Sequence, residues 1–297
     1  IKTKTNHNMN VLSLFNGMNT GRQALENVGI KVDKYYSSEI KSYAIELTQH
    51  HFPDTIQLGD ITKWNDWDID YKSIDLVLSG SPCQDLSIGG GLGYGRAGIK
   101  GSRSNLFFVF VEILEHIKSL NPNVLFLQEN VGSASTLDIG IMSRALGVYP
   151  CRINSKLVTA QLRDRYYWSN IRTKETFFDI ATDIPQPKDR KINFQDILEN
   201  GTTNRIKSSC LTEREYKNIY KDMDKLKRQI EKKRKQGFEP LIHAVVGDKV
   251  RNLTKAEFCR LQGFPDQYCD TLSIQKTISL LGDGWTLPVI EHIFLLL

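Results

Sequence analysis

The hydrophobic pattern of the first 170 residues switches repeatedly between two periods. Short apolar runs bounded by turn residues, such as Val11–Phe15 and Asp75–Gly80, predict buried strands. Between such runs the apolar residues recur at helical spacing, as they do around Leu106–Leu120. Strands that alternate with helices in this way predict an α/β fold with an open, mostly parallel sheet.

The other predicted elements of this region continue the alternation. Further strands are expected at 34–39, in a short segment ending at 59–60 and at 124–127, and further helices at about 20–28 and up to 47. Helices on both faces of such a sheet bury enough apolar surface for a stable domain.

The pattern changes after about residue 171. Thr212–Glu215 has the Thr-x-x-Glu spacing of a capping box, and the helical spacing behind it predicts a helix over about 213–236. The apolar stretch 285–297 is suited to pack on the main core. We therefore expect a large domain over 1–172, a small region over 173–272 and a C-terminal segment, 273–297, that returns to the large domain.

The composition is that of an ordinary globular protein, with 40% apolar and 25% charged residues among 297. No stretch approaches the roughly 18 consecutive apolar residues of a membrane span, and the first eight residues lack the apolar core of a signal peptide. The five cysteines form no Cys-x-x-Cys pair and the six histidines have no metal-ligand spacing. We therefore expect no membrane contact, no metal and a reducing, cytoplasmic location.

The net charge of +5 is unevenly distributed. Residues 201–250 contain 13 basic and 7 acidic residues, a surplus of +6, so the rest of the chain carries −1. Such a local surplus is typical of a surface that binds a polyanion. A solvated, charged helix is the alternative interpretation of the same segment.

A glycine-containing loop, Phe15–Gly21, follows the first predicted strand. Ligands of open α/β sheets bind at the carboxyl ends of strands, and the next helix offers free N–H groups there. Glu39 ends the second strand 22 residues after Gly17, near the spacing at which an acid meets ribose hydroxyls, and Asp60 ends the third. The pattern favours a nucleotide-type ligand, although an ordinary glycine turn with two capping acids has the same residues.

A second glycine-rich stretch is less informative about a nucleotide. Gly93–Gly98 matches G-x-G-x-x-G but does not follow a strand, as that motif requires. It lies in a run from Gly89 to Gly101, which we interpret as a mobile loop that closes over an active site.

Three further signals accompany the predicted sheet edge. Cys83 comes directly after the strand that ends at Gly80 and is a candidate nucleophile, although a buried, inert cysteine is commoner. Glu129 follows an apolar strand, where a carboxylate is costly unless it is paired or functional. Arg163 and Arg165 share one face if their segment is extended, although surface charges are the simpler interpretation.

The order of these motifs resembles that of the DNA cytosine-5 methyltransferase family. The matching blocks are Phe-x-Gly-x-x-x-Gly at 15–21, Glu39, Asp60, Ser81–Gln84, Glu129–Val131, Gln-x-Arg-x-Arg at 161–165, Arg251–Glu257, Arg260–Pro265 and Gly282–Trp285. The resemblance covers roughly 10–172 and 250–297 and is strongest to the vertebrate-type de novo branch. We expect a bacterial or phage member, associated with the nucleoid and with DNA methylation or restriction–modification.

The resemblance implies a Rossmann-like, S-adenosylmethionine-dependent methyltransferase fold with a small target-recognition domain. It also implies that the enzyme flips a cytosine out of double-stranded DNA and acts as a monomer or homodimer. Cys83 would add to the base, Glu129 would hold its ring nitrogen and amine, and Arg163 or Arg165 would contact its carbonyl oxygen.

The remaining implied contacts fall into two groups. The cofactor-binding residues are Phe15, Asn16, Gly17, Met18, Thr20, Glu39, Ile40, Asp60, Ile61, Pro82, Leu106, Gly284 and Trp285. The DNA-binding residues are Gln84, Ser87, Arg96, Lys100, Arg103, Arg214, Lys217, Lys232, Lys233 and Arg234.

Two positions depart from the family pattern. Asn16 replaces the Asp of the de novo branch, so one charged contact in the cofactor loop is absent. Asp283 stands where most of the family has Asn and the de novo branch has Arg, and an acid there repels the carboxylate end of the methyl donor.

Three other functions are consistent with parts of the pattern. A tRNA cytosine-5 methyltransferase has the same fold. A non-catalytic DNA-binding relative would have lost the Pro-Cys or Glu-Asn-Val residues, which this chain retains. A nicotinamide-dependent dehydrogenase shares the front half but gives no joint role to Cys83, Glu129 and the arginine pair.

Overall fold

The computed structural model describes residues 8–82, 106–211, 228, 231–232, 243–246 and 249–297. The strands are β1 (Met9–Leu14), β2 (Val32–Ser38), β3 (Ile56–Gln57), β4 (Leu76–Ser79), β5 (Leu125–Val131), β6 (Cys151–Asn154), β7 (Asp164–Ser169), β8 (Thr173–Glu175), β9 (Ile180–Thr182), β10 (His243–Val246) and β11 (Lys249–Asn252). The helices are α1 (Thr20–Asn27), α2 (Ser42–His51), α3 (Leu106–Leu120), α4 (Thr136–Leu146), α5 (Lys255–Gln262), α6 (Ile274–Asp283) and α7 (Leu287–Phe294).

Seven of the described strands form one sheet in the order β3-β2-β1-β4-β5-β7-β6. The pairs β1–β2, β1–β4, β2–β3 and β4–β5 are parallel, whereas β5 and β7 are antiparallel. The carboxyl ends of β1, β2, β3, β4 and β5 therefore lie along one side, called the carboxyl edge below. This arrangement confirms the predicted α/β fold with a mostly parallel sheet.

The core is built on the apolar strands and on one face of α3. Val11, Leu12 and Leu14 of β1 are buried, as expected for a central parallel strand with both faces covered. Helix α3 has the predicted bounds. Its inward residues recur every three or four positions and are Phe107, Phe110, Ile113, Leu114 and Ile117.

Strand β5 is longer than its apolar pattern predicts. The expected strand stops at Leu127, with Glu129 after it, but β5 continues to Val131. The extension follows from antiparallel pairing with β7, which runs from Leu127 opposite Ser169 to Val131 opposite Arg165. Because this pairing satisfies the backbone groups, polar residues continue the strand, and Glu129 lies inside it.

The chain divides into two compact units. The first contains Ile1–Ile153, Asp164–Gln186 and Ile290–Leu297, and the second contains Asn154–Arg163 and Pro187–Val289. These bounds differ from the expected ones. The range 154–163 belongs to the second unit and 173–186 to the first, and only the last eight residues of the expected C-terminal segment belong to the first unit. Helix α6 stays in the second unit because it packs against α5.

Several predictions lie outside the described residues. They are the closing loop at 89–101, the capping box at 212–215 and most of the helix over 213–236. Within that last range, the described residues Arg228, Glu231 and Lys232 are helical and exposed. No helix in the described part of the chain has both the length and the apolar character needed to cross a bilayer.

Candidate active site

The loop after β1 is a tight, strained turn. Phe15, Gly17 and Asn19 have φ values of 56°, 58° and 63°, a left-handed region that favours glycine and tolerates asparagine. A Cβ on Gly21 would clash with the Leu78 side chain of β4, so glycine lets α1 lie close to the sheet here. Met18 and Thr20 are buried, whereas Phe15 and Asn16 are partly exposed.

Glu39 joins the loops that follow β1 and β2. Its Oε2 accepts a hydrogen bond from the Gly17 N–H at 2.8 Å. Its Oε1 accepts from the N–H groups of Ile40 at 2.8 Å and Lys41 at 2.9 Å. The carboxylate is thus held in one orientation at the carboxyl edge, and Oε2, which accepts a single bond, retains a lone pair for a ligand.

The loops after β2 and β3 present one apolar side chain and one acid near this edge. Asp60 caps the short helix Ile61–Asp66, since its Oδ1 accepts from both the N–H and the hydroxyl of Thr62 at 2.9 Å. Ile61 is buried, but the side chain of Ile40 on the neighbouring loop is 74% exposed. Pro82 and Leu106, the other predicted cofactor contacts of this unit, are partly exposed.

The Asn16 side chain is hydrogen-bonded to two buried residues, Tyr35 and Thr48. The Tyr35 hydroxyl donates to Asn16 Oδ1 at 3.3 Å, and Asn16 Nδ2 donates to Thr48 Oγ1 at 3.4 Å. Burial raises the pKa of Tyr35 well above its ordinary value, so this phenol remains a donor. Both ends of the Asn16 amide are therefore engaged, which explains how a neutral residue fits this position.

Glu129 and Arg165 form a buried ion pair near the carboxyl edge. Arg165 Nε lies 2.7 Å from Glu129 Oε1, and the two side chains are only 13% and 9% exposed. The antiparallel pairing of β5 with β7 brings them together, because Val131 lies opposite Arg165 and Glu129 lies opposite Tyr167. The guanidinium offsets the cost of burying the carboxylate.

Arg163 has a different environment from Arg165. It belongs to the second unit, is 2% exposed and donates through Nη2 to the carbonyls of Gly282 at 3.1 Å and Gly284 at 2.7 Å. Its Nη1 donates to Leu211 O at 3.4 Å. Arg163 precedes β7 and donates to main-chain carbonyls of the second unit, whereas Arg165 pairs with Glu129. The structure therefore gives the two arginines different partners, although their sequence spacing suggested a shared face.

The remaining predicted residues that the structure describes lie in the second unit, where the Gly284 carbonyl accepts from Arg163. Gly284 and Trp285 are partly buried in the second unit, where Asp283 is exposed. Lys232 is exposed. Cys83, Gln84, Ser87, Arg96, Lys100, Arg103, Arg214, Lys217, Lys233 and Arg234 lie outside the described residues. Among the described residues, no cluster of three or more His, Cys, Asp or Glu side chains is suited to hold a metal ion.

The segment that leads to Cys83 is anchored by Asn130, which lies in a motif block, and by Gln128, which sequence reasoning missed. Ser81 is buried, and its Oγ accepts from Gln128 Nε2 at 2.9 Å and from Asn130 Nδ2 at 3.3 Å. The one available signal was Gln128 itself, a polar residue that directly follows an apolar strand run. Its partner is 47 positions away along the chain, which no local pattern reveals.

A family model described as C-5 cytosine-specific DNA methylase matches residues 9–296. The chain therefore belongs to that family, which confirms the resemblance drawn from its motifs. The orphan methyltransferase M.SPRI of Bacillus phage SPR is 30% identical over 210 residues, covering 65% of this chain and 43% of that protein. The type II methyltransferase M.HpaII of Haemophilus parainfluenzae is 27% identical, covering 94% of this chain and 86% of that protein.

Solved structures support the fold. A DNMT2 mutant from Spodoptera frugiperda superposes with a TM-score of 0.61 at 18% identity, covering 97% of this chain and 99% of that one.

The chain spans less than half the length of several curated relatives, including 43% of the phage SPR protein and 33% of a phage rho11s methyltransferase.

Proposed function

We propose that this protein is a DNA cytosine-5 methyltransferase that uses S-adenosylmethionine. The observation that carries the proposal is the buried Glu129–Arg165 pair near the carboxyl edge. Glu129 lies on β5, beside the β4 strand whose end leads through Ser81 and Pro82 to Cys83, and Arg165 lies on β7. A carboxylate and a guanidinium at the carboxyl edge, a nucleotide-type loop after β1 and a cysteine four positions after β4 in the sequence are the groups that this reaction requires.

The residues of the first unit fit S-adenosylmethionine. Gly17 lets the loop backbone approach a ligand closely because it has a positive φ, whereas Gly21 lets α1 pack close to the Leu78 side chain of the sheet. Glu39 presents a fixed carboxylate to ribose hydroxyls, and Ile40 presents an exposed apolar surface to a purine ring. Asp60 lies on the next loop, where its carboxylate is suited to an adenine amine.

S-adenosylmethionine, when bound, supplies an electrophilic methyl group. Carbon 5 of cytosine is too weak a nucleophile to take it while the ring is aromatic. The Cys83 thiolate forms a bond to carbon 6, which moves the electron pair of the carbon 5–carbon 6 double bond toward carbon 5. After methylation, a base removes the carbon 5 proton, the double bond re-forms and the sulfur leaves carbon 6 as thiolate.

Glu129 and Arg165 stabilise the charge that this addition creates. Glu129 accepts a hydrogen bond from the exocyclic amine and, when protonated, donates one to the ring nitrogen. Arg165 offers guanidinium N–H groups to the carbonyl oxygen of the base while it orients Glu129. Arg163, whose guanidinium serves the carbonyls of Gly282 and Gly284, is a structural residue in this proposal.

Double-stranded DNA is the proposed partner, with the target base flipped out of the helix because carbon 6 is unreachable in a stacked duplex. The excess positive charge at 201–250 supplies phosphate contacts, and the described residue Lys232 is exposed within it.

Methyl-labelled S-adenosylmethionine tests the activity directly. Incubation with duplex DNA should give 5-methylcytosine, and Cys83→Ser should abolish transfer while duplex binding persists, because the alcohol is a far weaker nucleophile than the thiolate. Parallel reactions with tRNA are the control for substrate class. Label in tRNA alone would favour the tRNA alternative, and full activity of Cys83→Ser would refute the covalent mechanism.

A further inference from the structure

Gln128 is an amide in the interior of the sheet. It lies on β5 opposite Ser79 of β4 and Trp168 of β7, and it is completely buried. The residues before it on the strand, Leu125–Leu127, are apolar. The proposed mechanism uses the next residue, Glu129, and gives no role to Gln128.

The side-chain hydrogen bonds of Gln128 are all donated by the nitrogen of its amide. Nε2 donates to Ser81 Oγ at 2.9 Å and to the Glu129 carbonyl at 2.8 Å. Its Oε1 is buried and has no hydrogen-bond partner in the described part of the structure. The side chain thus links the main chain at Glu129 to the segment that leaves β4.

Stability alone does not explain this residue. A buried amide with an unmatched oxygen is less favourable than a hydrocarbon side chain of similar length. Ser81, the partner of the amide, is two positions before Cys83, and Asn130 donates to the same Ser81 hydroxyl at 3.3 Å. The amide therefore holds the start of the Cys83 segment at the cost of some packing free energy.

We propose that Gln128 is a positioning residue for methyl transfer. Its amide fixes Ser81, and with it the entry to the Cys83 segment, against the strand that carries Glu129. This inference rests on the proposed function. Gln128 acts through Ser81 and is not itself a catalytic residue.

Gln128→Met removes the donor and keeps the length of the side chain. We expect kcat to fall about tenfold to a hundredfold, the range that small misplacements of reacting groups cost, while KM for DNA and for S-adenosylmethionine stays unchanged. The melting temperature should stay the same or rise, because the unmatched oxygen is gone. A residue with only a structural role would instead lower the melting temperature and leave kcat unchanged.

Ser143→Ala is the matched control. It removes a buried serine hydroxyl that accepts from Trp168 Nε1 at 3.0 Å, between α4 and β7 of the same unit. This variant should lower the melting temperature and keep the wild-type kcat. A loss of kcat in both variants would overturn the positioning role.

A double variant shows whether Gln128 acts through Ser81. Ser81→Ala removes the acceptor, so Gln128→Met should cause little further loss of kcat in the Ser81→Ala background. Losses that multiply in the double variant would mean that Gln128 acts by another route, and the proposal would fail.

Hydrogen exchange of the Ser81 amide gives a readout that needs no enzymatic activity. Exchange should be faster in Gln128→Met than in the wild type or Ser143→Ala, because Ser81 has lost one of its two side-chain donors. Equal exchange would overturn the inference whatever the activity. If the wild type transfers no methyl group and the Ser81 amide still exchanges faster in Gln128→Met, the result would support the Ser81 contact and refute the proposed function.

Discussion

At the scale of single residues, the two arginines of the Gln-x-Arg-x-Arg motif have different hydrogen-bond partners. Arg165 lies beside the Glu129 carboxylate, whereas Arg163 donates to main-chain carbonyls of its own unit. Both are arginines because only a planar, permanently charged fork makes several such bonds at once. The residue type alone does not distinguish a guanidinium that pairs with a carboxylate from one that donates to main-chain carbonyls.

The Glu129–Arg165 pair predicts an asymmetry in stability. Arg165→Met should lower the free energy of unfolding by about 3–5 kcal/mol, because a buried carboxylate loses the guanidinium that offsets its charge. The double variant Glu129→Gln/Arg165→Met should be more stable than Arg165→Met, although neither transfers methyl groups. Denaturant unfolding at neutral pH measures both values.

Arg152→Met is the control for this pair. Arg152 forms an ion pair with Asp164 in which the side chains are 53% and 33% exposed. An exposed pair contributes only about 0–1 kcal/mol, so the loss should be small. A loss as large as that of Arg165→Met would contradict the importance of burial.

At the scale of elements, helix α5 shows how one carboxylate connects several segments. Glu257 is fully buried and accepts from Arg251 Nη2 at 2.6 Å, from the Thr254 N–H at 2.8 Å and from the Glu199 N–H at 2.7 Å. Thr254 and Glu257 form a capping box at the start of the helix. The hydrogen bonds of Glu257 therefore connect the N-terminus of α5 to β11 and to the loop at Glu199.

This network predicts a pH-dependent contribution to stability. Burial by itself would raise the pKa of Glu257, but the hydrogen bonds from Arg251, Thr254 and Glu199 outweigh it and hold the pKa below its ordinary value. A depressed carboxyl pKa stabilises the fold above the unfolded-state pKa of about 4.3, and that stability is lost as pH falls through the folded-state pKa.

Glu257→Gln should therefore lower the free energy of unfolding by about 1–3 kcal/mol at pH 7. The difference from the wild type should shrink as the pH is lowered through the range of carboxyl titration, which denaturant titrations at several pH values measure. Glu175→Gln, on the exposed strand β8, is the control and should change little. A pH-independent difference would contradict the role of the Glu257 charge.

At the scale of the whole molecule, the positive charge and the nucleotide-type loops lie in different parts of the chain. Residues 201–250 carry a surplus of +6 and the remaining residues sum to −1. In the proposed function, counterion release makes the strength of DNA binding depend on such charges, whereas methyl transfer depends on the carboxyl edge. The two properties should therefore respond to different substitutions.

Lys232→Gln/Lys233→Gln should weaken duplex binding and flatten its dependence on salt. The slope of log K against log salt should fall by up to about 0.9 for each phosphate contact that is lost. Titration of a labelled duplex over a series of salt concentrations measures it. Lys31→Gln/Lys34→Gln, at the start of β2 and away from the carboxyl edge, is the control of equal charge. Equal slopes in both variants would contradict the assignment.

The sequence by itself determined the family and the order of the strands β1 to β5, the helices α1 to α3 and the loops between them. The spacing of hydrophobic residues, the turn residues and the motif spacing are local properties of the sequence. They therefore predict the bounds of α3 and the turn at Gly17. The tertiary structure alone decided the antiparallel extension of β5, the bond from Gln128 to Ser81 and the environment of Arg163. These join residues up to 121 positions apart, and such pairs are selected by the packing of the whole fold.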